Sequence, residues 1–332
     1  MVGRPEGGAR GAGMTRSVWT CGRLAVPALV LAALVWRLGT SPFLAGFRTV
    51  NGGALAVAAG LIALTTVCCA WRWKIVAGGL GVDLSLPAAV AAYYRALFLN
   101  VILPGGVVGD IHRGISHGRD VSDVSRALRS VAWERLAGQV VQVLATVIVL
   151  LALPSPVHAY MPWVAIGIAA AVCVALLLAR ARGGGARSAW ARLRRAALGD
   201  IRNGLFARRA CPRIAIASLL AVAGYAATFL LAARAAGVSA PPSRMLPLAL
   251  LAIAAMVLPS IGGWGPREGV TAWAFGAAGL GAQRGVATAV VYGVMVLLAS
   301  SPGAAVLAMA WFRRNRSAES SQPPLRKRPA HA

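Results

Sequence analysis

The sequence predicts an all-α polytopic membrane protein, with about six full spans and two re-entrant hairpins of broken helix, or about eight membrane segments by a looser count. Three observations lead to this prediction. Of the 332 residues, 58% are hydrophobic and only 13% are charged, and the mean hydropathy of +0.69 lies far from that of a soluble domain. Apolar runs close to the ~20 residues of a membrane helix recur along the chain. A proline-glycine break interrupts this apolar sequence twice.

The charge of the chain is strongly positive and is concentrated in a few places. Lys and Arg number 34 against 9 acidic residues, for a formal net charge of +25. The excess lies at the two ends and in one internal loop, which indicates membrane topology and contact with anionic lipid head groups. These residues flank apolar spans and form no nucleic-acid-reading motif, so we expect no nucleic-acid partner.

The apolar runs follow one another at short intervals. The first follows a basic N-terminus without a signal-peptide cleavage site, so we expect an uncleaved span. Three runs are short for a crossing, namely 88–103, 245–258 and 268–282. The full set is 24–38, 54–73, 88–103, 131–153, 161–179, 213–236, 245–258, 268–282 and 286–312.

Arginine placement predicts the orientation of these runs. The segment 180–213 holds ten Arg and one acid, which places it on the cytoplasmic side, and both basic termini belong there too. Residues 88–103 must then enter from the cytoplasm and return to it, as a re-entrant hairpin does. Residues 245–282 begin and end outside, and either a hairpin or two short spans fits them. We expect a multi-pass protein of a bacterial cytoplasmic membrane.

The resulting order is span, span, hairpin, span, and it occurs twice with opposite orientation. An inverted-topology repeat has this order, although Pro and Gly are common enough in membrane helices for the likeness to arise by chance. The expected domains are a basic tail at 1–20, a membrane domain at 21–312 with repeats at about 21–153 and 161–312 and the basic loop 180–213, and a disordered basic tail at 313–332.

Each break follows a Gly-Val turn at nearly the same distance. The turns are Gly81-Val82 and Gly237-Val238, and the breaks begin at Pro104 and Pro259. Pro removes a backbone donor and Gly favours non-helical dihedrals, so each helix should stop there. Broken backbone at membrane depth is tolerated only against protein or a wet cavity. A pair of breaks in corresponding halves therefore indicates a transport site.

Most ionisable residues outside the tails and the basic loop lie near these breaks. Glu134 and Glu268 are the acids expected to be deepest. One interpretation is that they pair with Arg113, Arg135 or Arg267 and lock the helices together. The other is that the arginines and the free amides at the broken ends bind an anionic head group, while the acids balance charge or receive a cationic group.

Two further polar residues beside the first break have two interpretations each. Asn100 either bonds the freed backbone around Pro104 or contacts a ligand, and Asp110 either caps the next helix or contacts substrate. The candidate substrate-binding residues are Asn100, Pro104, Gly105, Gly106, Gly109, Asp110, Arg113, Glu134, Arg135, Gly262, Gly263, Gly265, Arg267 and Glu268.

No motif for catalysis or for a metal is apparent in the sequence. His112 and His117 stand in an Arg-rich stretch that would repel a cation, and the five cysteines have no ligand spacing. No nucleophile-base arrangement and no phosphate-binding loop is found. We therefore expect a protein that is not an enzyme and that carries neither cofactor nor metal.

Three sequence elements, taken together, resemble the membrane-region family of lysylphosphatidylglycerol synthases, whose stand-alone members are called flippase-like or uncharacterised integral membrane proteins. The resemblance covers roughly residues 20–312. The elements are Asn100 with Pro104-Gly105-Gly106, Gly109-Asp110 and Arg113; Ser130-Val131 leading into Glu134-Arg135 and Gly138; and Gly262-Gly263-Trp264-Gly265-Pro266-Arg267-Glu268.

The resemblance implies lipid translocation, or handling of a lipid-linked intermediate, with anionic phospholipids as partners. Two departures from the family pattern are Tyr292-Gly293, where an Arg often follows the Tyr, and Pro259-Ser260-Ile261, where Pro-Gly-Gly is usual. No aminoacyl-transferase domain is expected from this chain. The alternative function is an accessory subunit of a lipid-modifying enzyme or glycosyltransferase, or such an enzyme itself.

Overall fold

The computed structural model describes residues 51–103, 106–181, 196–258, 260 and 264–310, together with scattered positions between 29 and 44. These residues are almost entirely helical, and none of them forms a β-strand. Most of the predicted first span, both tails and much of the basic loop lie outside them. The main helices are α1 Gly52–Gly79, α2 Leu86–Ile102, α3 Val108–Asp120, α4 Val124–Ala152, α5 Met161–Ala181, α6 Ala210–Ala235, α7 Pro242–Ala255, α8 Pro266–Ala277 and α9 Ala282–Ala299, and 302–310 is also helical.

Four helical stretches of the described chain are long and apolar enough to cross a membrane, and α2 and α7 are shorter apolar helices. This pattern confirms the predicted all-α polytopic membrane class. The four stretches are Gly52–Gly79, Val124–Ala152, Ala210–Ala235 and Ala282–Ala310.

The helices α1 and α6 end in the same way. Gly81 and Gly237 adopt φ of 73° and 79°, which costs little without a Cβ. Val82 N then donates to Ala77 O at 2.9 Å, as Val238 N does to the carbonyl five residues before it, also at 2.9 Å. Each is a Schellman-type end, and its valine is buried behind the turn. Each Gly-Val signal therefore terminates a helix, with the same hydrogen-bond pattern in both cases.

Both proline-glycine breaks interrupt the helical course as predicted. The helix before the first break ends at Ile102, and the chain is next helical at Val108; the helix before the second ends at Ala255, and the next begins at Pro266. Within the first break Gly106 has a φ of 65°, and within the second break Gly265 has a φ of 112°. Pro104, Gly105, Pro259 and 261–263 lie outside the described residues.

Two helix boundaries differ from the predicted apolar runs for local reasons. Helix α4 begins at Val124, seven residues before the run at 131–153, because the Asp123 carboxylate accepts a hydrogen bond from Arg126 N at 2.9 Å and caps it. Helix α8 ends at Ala277 within the run 268–282, because Gly279 and Gly281 adopt positive φ. The earlier start of α4 puts Glu134 well inside that helix.

Glycines let the helices approach closely around the site. A Cβ on Gly109 at the start of α3 would collide with the backbone of Ala96 in α2, and one on Gly224 in α6 would lie 2.7 Å from Thr65 Oγ1 in α1. The breaks themselves are neighbours, since a Cβ on Gly106 would lie 3.6 Å from Ser260 Oγ. The two halves therefore meet at their broken segments.

Candidate functional site

Five charged side chains of the first half form one chain in which positive and negative groups alternate. This series of side chains begins on α1, continues through α4 to the start of α3 and ends on the surface of α4. Each link is a salt bridge, and the order is Arg72, Glu134, Arg113, Asp110 and Arg135. We refer to these residues as the charged chain.

Glu134 is the centre of the charged chain and has no exposed surface. Its Oε1 accepts hydrogen bonds from Arg72 Nε at 2.9 Å, Arg72 Nη2 at 2.5 Å and Tyr93 Oη at 2.6 Å. Its Oε2 accepts one from Arg113 Nη2 at 2.6 Å. The carboxylate thus accepts three hydrogen bonds at Oε1 and one at Oε2, so the expectation that Glu134 is deep and paired is confirmed, with Arg72 as an additional partner.

Arg113 is fully enclosed by acids and aromatic rings. Its Nε donates to Asp110 Oδ1 at 3.0 Å, and its guanidinium carbon lies 4.6 Å from the ring centroid of Trp73 and 4.0 Å from that of Tyr93. Cation-π contacts of this kind partly replace the hydration that a buried arginine loses. Arg113 thus forms an ion pair with each of the two acids, with Glu134 through Nη2 and with Asp110 through Nε.

Asp110 does not cap α3 as one interpretation held. The cap residue is Val107, which makes no side-chain cap bond, and Asp110 stands in the first turn. Its carboxylate instead receives Asn100 Nδ2 at 3.1 Å, Arg113 Nε and Arg135 Nη2. Asn100 Oδ1 accepts from Gly109 N at 2.7 Å. The amide of Asn100 therefore satisfies backbone freed by the break, as the first interpretation held, and also orients Asp110.

Arg72 is a functional candidate that was not among the residues predicted from the sequence. It is 6% exposed, and its Nη1 donates to Ser218 Oγ in α6 at 3.1 Å. A Cβ on Gly138 of α4 would lie 2.7 Å from both Nη1 and Nη2. Gly138, one turn after Glu134, therefore leaves the space that this guanidinium occupies. The sequence signal that could have identified Arg72 was an arginine within an apolar run.

A cavity of about 210 Å³ lies between the two halves of the chain. The first half contributes its charged and amide groups, and the second contributes Tyr225, Tyr292, Ser260 and apolar side chains. The polar lining consists of Thr65, Thr66, Cys69, Arg72, Tyr93, Asn100, Asp110, Arg135, Gln139, Gln142, Tyr225, Ser260 and Tyr292, and Gly106 also lines it. Ile62, Leu97, Val101, Ile253, Met256, Val257 and Val296 are among the apolar lining residues.

The second break carries a smaller and self-contained ion pair. Glu268 has no exposed surface, its Oε2 accepts from Gly265 N at 2.6 Å, and its Oε1 accepts from Arg267 Nε at 2.9 Å. The Arg267 guanidinium carbon lies 5.4 Å from the ring centroid of Trp264 and 5.3 Å from that of Tyr292. The expected depth of Glu268 and its pairing with Arg267 are confirmed.

Comparison with known protein families gives one match. The model of the family described as lysylphosphatidylglycerol synthase TM region matches residues 21–303. The chain belongs to this family. No curated protein and no solved structure matches it.

In this member of the lysylphosphatidylglycerol synthase TM region family, the predicted site residues separate into two groups. Asn100, Gly106, Asp110 and Arg135 line the cavity, with Gly109, Arg113 and Glu134 directly behind them. Gly265, Arg267 and Glu268 are not among the lining residues, although Tyr292, whose ring centroid lies 5.3 Å from the Arg267 guanidinium carbon, is one of them. Pro104, Gly105, Gly262 and Gly263 lie outside the described residues.

Proposed function

We propose that this chain is a lipid translocase of the flippase-like type, which moves an anionic or zwitterionic phospholipid or lipid-linked carrier across the bacterial cytoplasmic membrane. In this proposal the protein binds and releases lipid without changing it chemically, so it is not an enzyme. Its partners are the phospholipids of the membrane, with anionic head groups foremost. Family membership supports a lipid-related membrane function, and the cavity supports the finer assignment.

The observation that carries the proposal is the cavity between the halves, where charged and amide groups of the first half lie beside apolar side chains of both halves. At about 210 Å³ it is smaller than the ~300–1,000 Å³ of small-molecule pockets. It therefore suits a head group, and the acyl chains of the lipid would remain in the bilayer. Buried charge beside a polar cavity is expensive in a membrane protein and usually marks a substrate pathway.

Corresponding features in the two halves support a repeat. The Schellman ends at Gly81 and Gly237 precede short helices that run into the two breaks. Each helix after a break carries a buried acid at its third position, Asp110 in α3 and Glu268 in α8. In α9, the helix after α8, a Cβ on Gly293 would lie 2.7 Å from Arg267 Nη2. In the first half, a Cβ on Gly138 would likewise lie 2.7 Å from Nη1 and Nη2 of Arg72.

In the proposed mechanism, the two repeats have inverted topology and their hairpins meet within the membrane. Inverted repeats allow a site at their interface to open alternately to each side by rocking of one half against the other. The head group would occupy the cavity, the arginines would hold it, and the broken segments at Gly106 and Ser260 would bend. The ten-Arg loop and both termini would face the cytoplasm.

Neutralising Arg135 tests this proposal in proteoliposomes. Arg135 lines the cavity, and its side chain is 49% exposed, so Arg135→Gln should fold while losing a head-group contact. We expect the protein-dependent transfer of a fluorescent anionic phospholipid between leaflets to fall about tenfold or more, since a charged hydrogen bond contributes about 1.5–3 kcal/mol. Dithionite bleaching of the outer leaflet measures the transfer.

Arg126→Gln is the matched control for this experiment. Arg126 also lies in α4, pairs with an aspartate and has a side chain that is 46% exposed. Unlike Arg135, it does not line the cavity. Transfer in this variant should equal the wild-type rate. Equal rates in all three proteins would contradict the role of the cavity, and absence of any protein-dependent transfer would favour the accessory-subunit alternative.

A further inference from the structure

Residues 196–209, at the end of the basic loop, form a short structured segment that leads into α6. They are helical from 196 to 205, with a π-helical turn at Ile201–Leu205, and α6 begins directly afterwards at Ala210. Because α6 is long and apolar enough to cross a membrane, the segment that joins its first residue lies next to the membrane surface. We refer to residues 196–209 as the interfacial segment.

The inner side of the interfacial segment is fixed to the ends of two helices of the first half. Asp200 is buried, its Oδ2 lies 2.9 Å from Arg129 Nε, and Trp133 Nε1 donates to the same oxygen at 3.0 Å. Both partners lie in α4. At the end of α1, a Cβ on Gly79 would collide with the backbone of Gly204. The segment is therefore packed into the fold, and its position is set by α1 and α4.

The exposed side of the interfacial segment combines positive charge with large apolar side chains. Arg202, Arg208 and Arg209 are exposed. Leu198 and Phe206 are 55% and 69% exposed. The only acid of the segment is turned toward α4 and paired there, so it does not offset the exposed arginines. Exposed arginines beside exposed Leu and Phe are typical of a segment that lies in the interface of an anionic membrane.

We propose that the interfacial segment is a binding site for the surface of an anionic leaflet. Arg202, Arg208 and Arg209 contact the lipid phosphates, and Phe206 inserts among the head groups. None of residues 196–209 lines the cavity, so this site is separate from it and does not depend on translocation. In the orientation of the proposed function the leaflet is the cytoplasmic one. Because the inner side of the segment holds α1 and α4, the bound surface also fixes the ends of these helices.

An anionic membrane fits this surface better than an acidic protein partner does. Phe206 lies four residues before Ala210, the first residue of α6, so its exposed ring is close to the level at which the chain enters the membrane. Interfacial segments bury Phe and Leu at the boundary between head groups and acyl chains. Arginines near an anionic leaflet add an attraction that salt weakens. An acidic protein would bind the segment without any need for anionic lipid.

Exposed arginines of the second half provide a charge-matched control. The segment variant combines Arg202→Gln, Arg208→Gln and Arg209→Gln. The control variant combines Arg234→Gln, Arg244→Gln and Arg284→Gln, on α6, α7 and α9. All six arginines are exposed, so both variants should fold, and both lose three positive charges.

The test measures the depth of residue 206 in nanodiscs of phosphatidylcholine with and without phosphatidylglycerol. A trifluoromethyl-phenylalanine in place of Phe206 is observed by fluorine NMR, and its relaxation by a doxyl-labelled lipid is compared with that by a neutral gadolinium chelate in water. We expect phosphatidylglycerol to raise the ratio of lipid-bound to water-exposed label about tenfold or more in the otherwise wild-type protein and in the control variant. The segment variant should show the same ratio in both bilayers.

Salt tests the same point without a further substitution. In about 1 M KCl, where charges are screened beyond about 3 Å, the effect of phosphatidylglycerol on the otherwise wild-type protein should largely disappear. A label equally exposed to water in the two bilayers would overturn the inference, as would an equal rise of the ratio in the segment variant. Protection of the label by dissolved polyglutamate, without an effect of phosphatidylglycerol, would assign the surface to an acidic protein instead. Lipid transfer does not enter this measurement, so failure of the proposed function leaves its result unaffected.

Discussion

Replacing Glu134 by glutamine is expected to destabilise the protein by about 3–5 kcal/mol, the usual cost of removing one partner from a buried ion pair. Glu134 is fully buried between Arg72 and Arg113, and its carboxylate receives both guanidinium groups. An amide offers one acceptor oxygen and no negative charge, so two buried cations would be left facing each other. Urea or guanidinium unfolding in detergent, followed by circular dichroism, measures the change.

A double-mutant cycle separates this electrostatic effect from simple loss of packing. Adding Arg72→Gln to Glu134→Gln removes one of the two uncompensated cations and should recover part of the lost stability. Asp83 is exposed, and Asp83→Asn should change the free energy of unfolding by no more than about 0.5 kcal/mol. Glu134→Gln as stable as Asp83→Asn would show that the charged chain does not hold the helices together.

Replacing Gly109 by alanine is expected to destabilise the protein by about 1–3 kcal/mol or more, the usual cost of overpacking. A Cβ at this position would overlap the carbonyl oxygen, carbonyl carbon and Cα of Ala96, and backbone atoms of a packed helix move less easily than a side-chain end. The start of α3 would have to shift away from α2. That shift would stretch the 2.7 Å bond from Gly109 N to Asn100 Oδ1 and displace Asp110 from the charged chain.

Gly60→Ala is a control with the opposite expected sign. Gly60 lies within α1, and nothing stands within 4 Å of the Cβ position. Alanine is favoured over glycine by about 1 kcal/mol in a helix interior, so this variant should be slightly more stable than wild type. Denaturant unfolding of the two variants side by side checks the pair, and Gly109→Ala without loss of stability would contradict the close packing of α2 and α3.

Local chemistry explains why much of the fold was predictable. Proline and glycine act on their own backbone, so the breaks after Leu103 and Leu258 and the turn glycines Gly81 and Gly237 could be located from sequence. The depth of Glu134 and Glu268 followed from the cost of charge in an apolar run. The start of α4 could also have been found, because Asp123 three residues before Arg126 is an ordinary helix cap.

Long-range contacts explain what the sequence did not predict. Arg72 and Glu134 are 62 positions apart, and nothing in the local pattern around either residue joins them. The salt bridge between them depends on how α1 packs against α4, which no local sequence pattern reports. The two breaks looked equivalent in sequence, but among the described residues the charged groups that line the cavity belong to the first half, and Arg267 and Glu268 do not line it.

The central claim is that lipid crosses at the interface of two halves that move against each other at their broken segments. A disulfide between Gly106→Cys and Ser260→Cys tests it, because the two positions are neighbours: a Cβ on Gly106 would lie 3.6 Å from Ser260 Oγ. Lipid transfer in proteoliposomes is measured after oxidation and again after reduction, with oxidised wild-type protein as the control for the native cysteines. We expect transfer by the oxidised double variant to fall to the protein-free rate and to recover on reduction, whereas equal transfer before and after reduction of a fully cross-linked protein would contradict the claim.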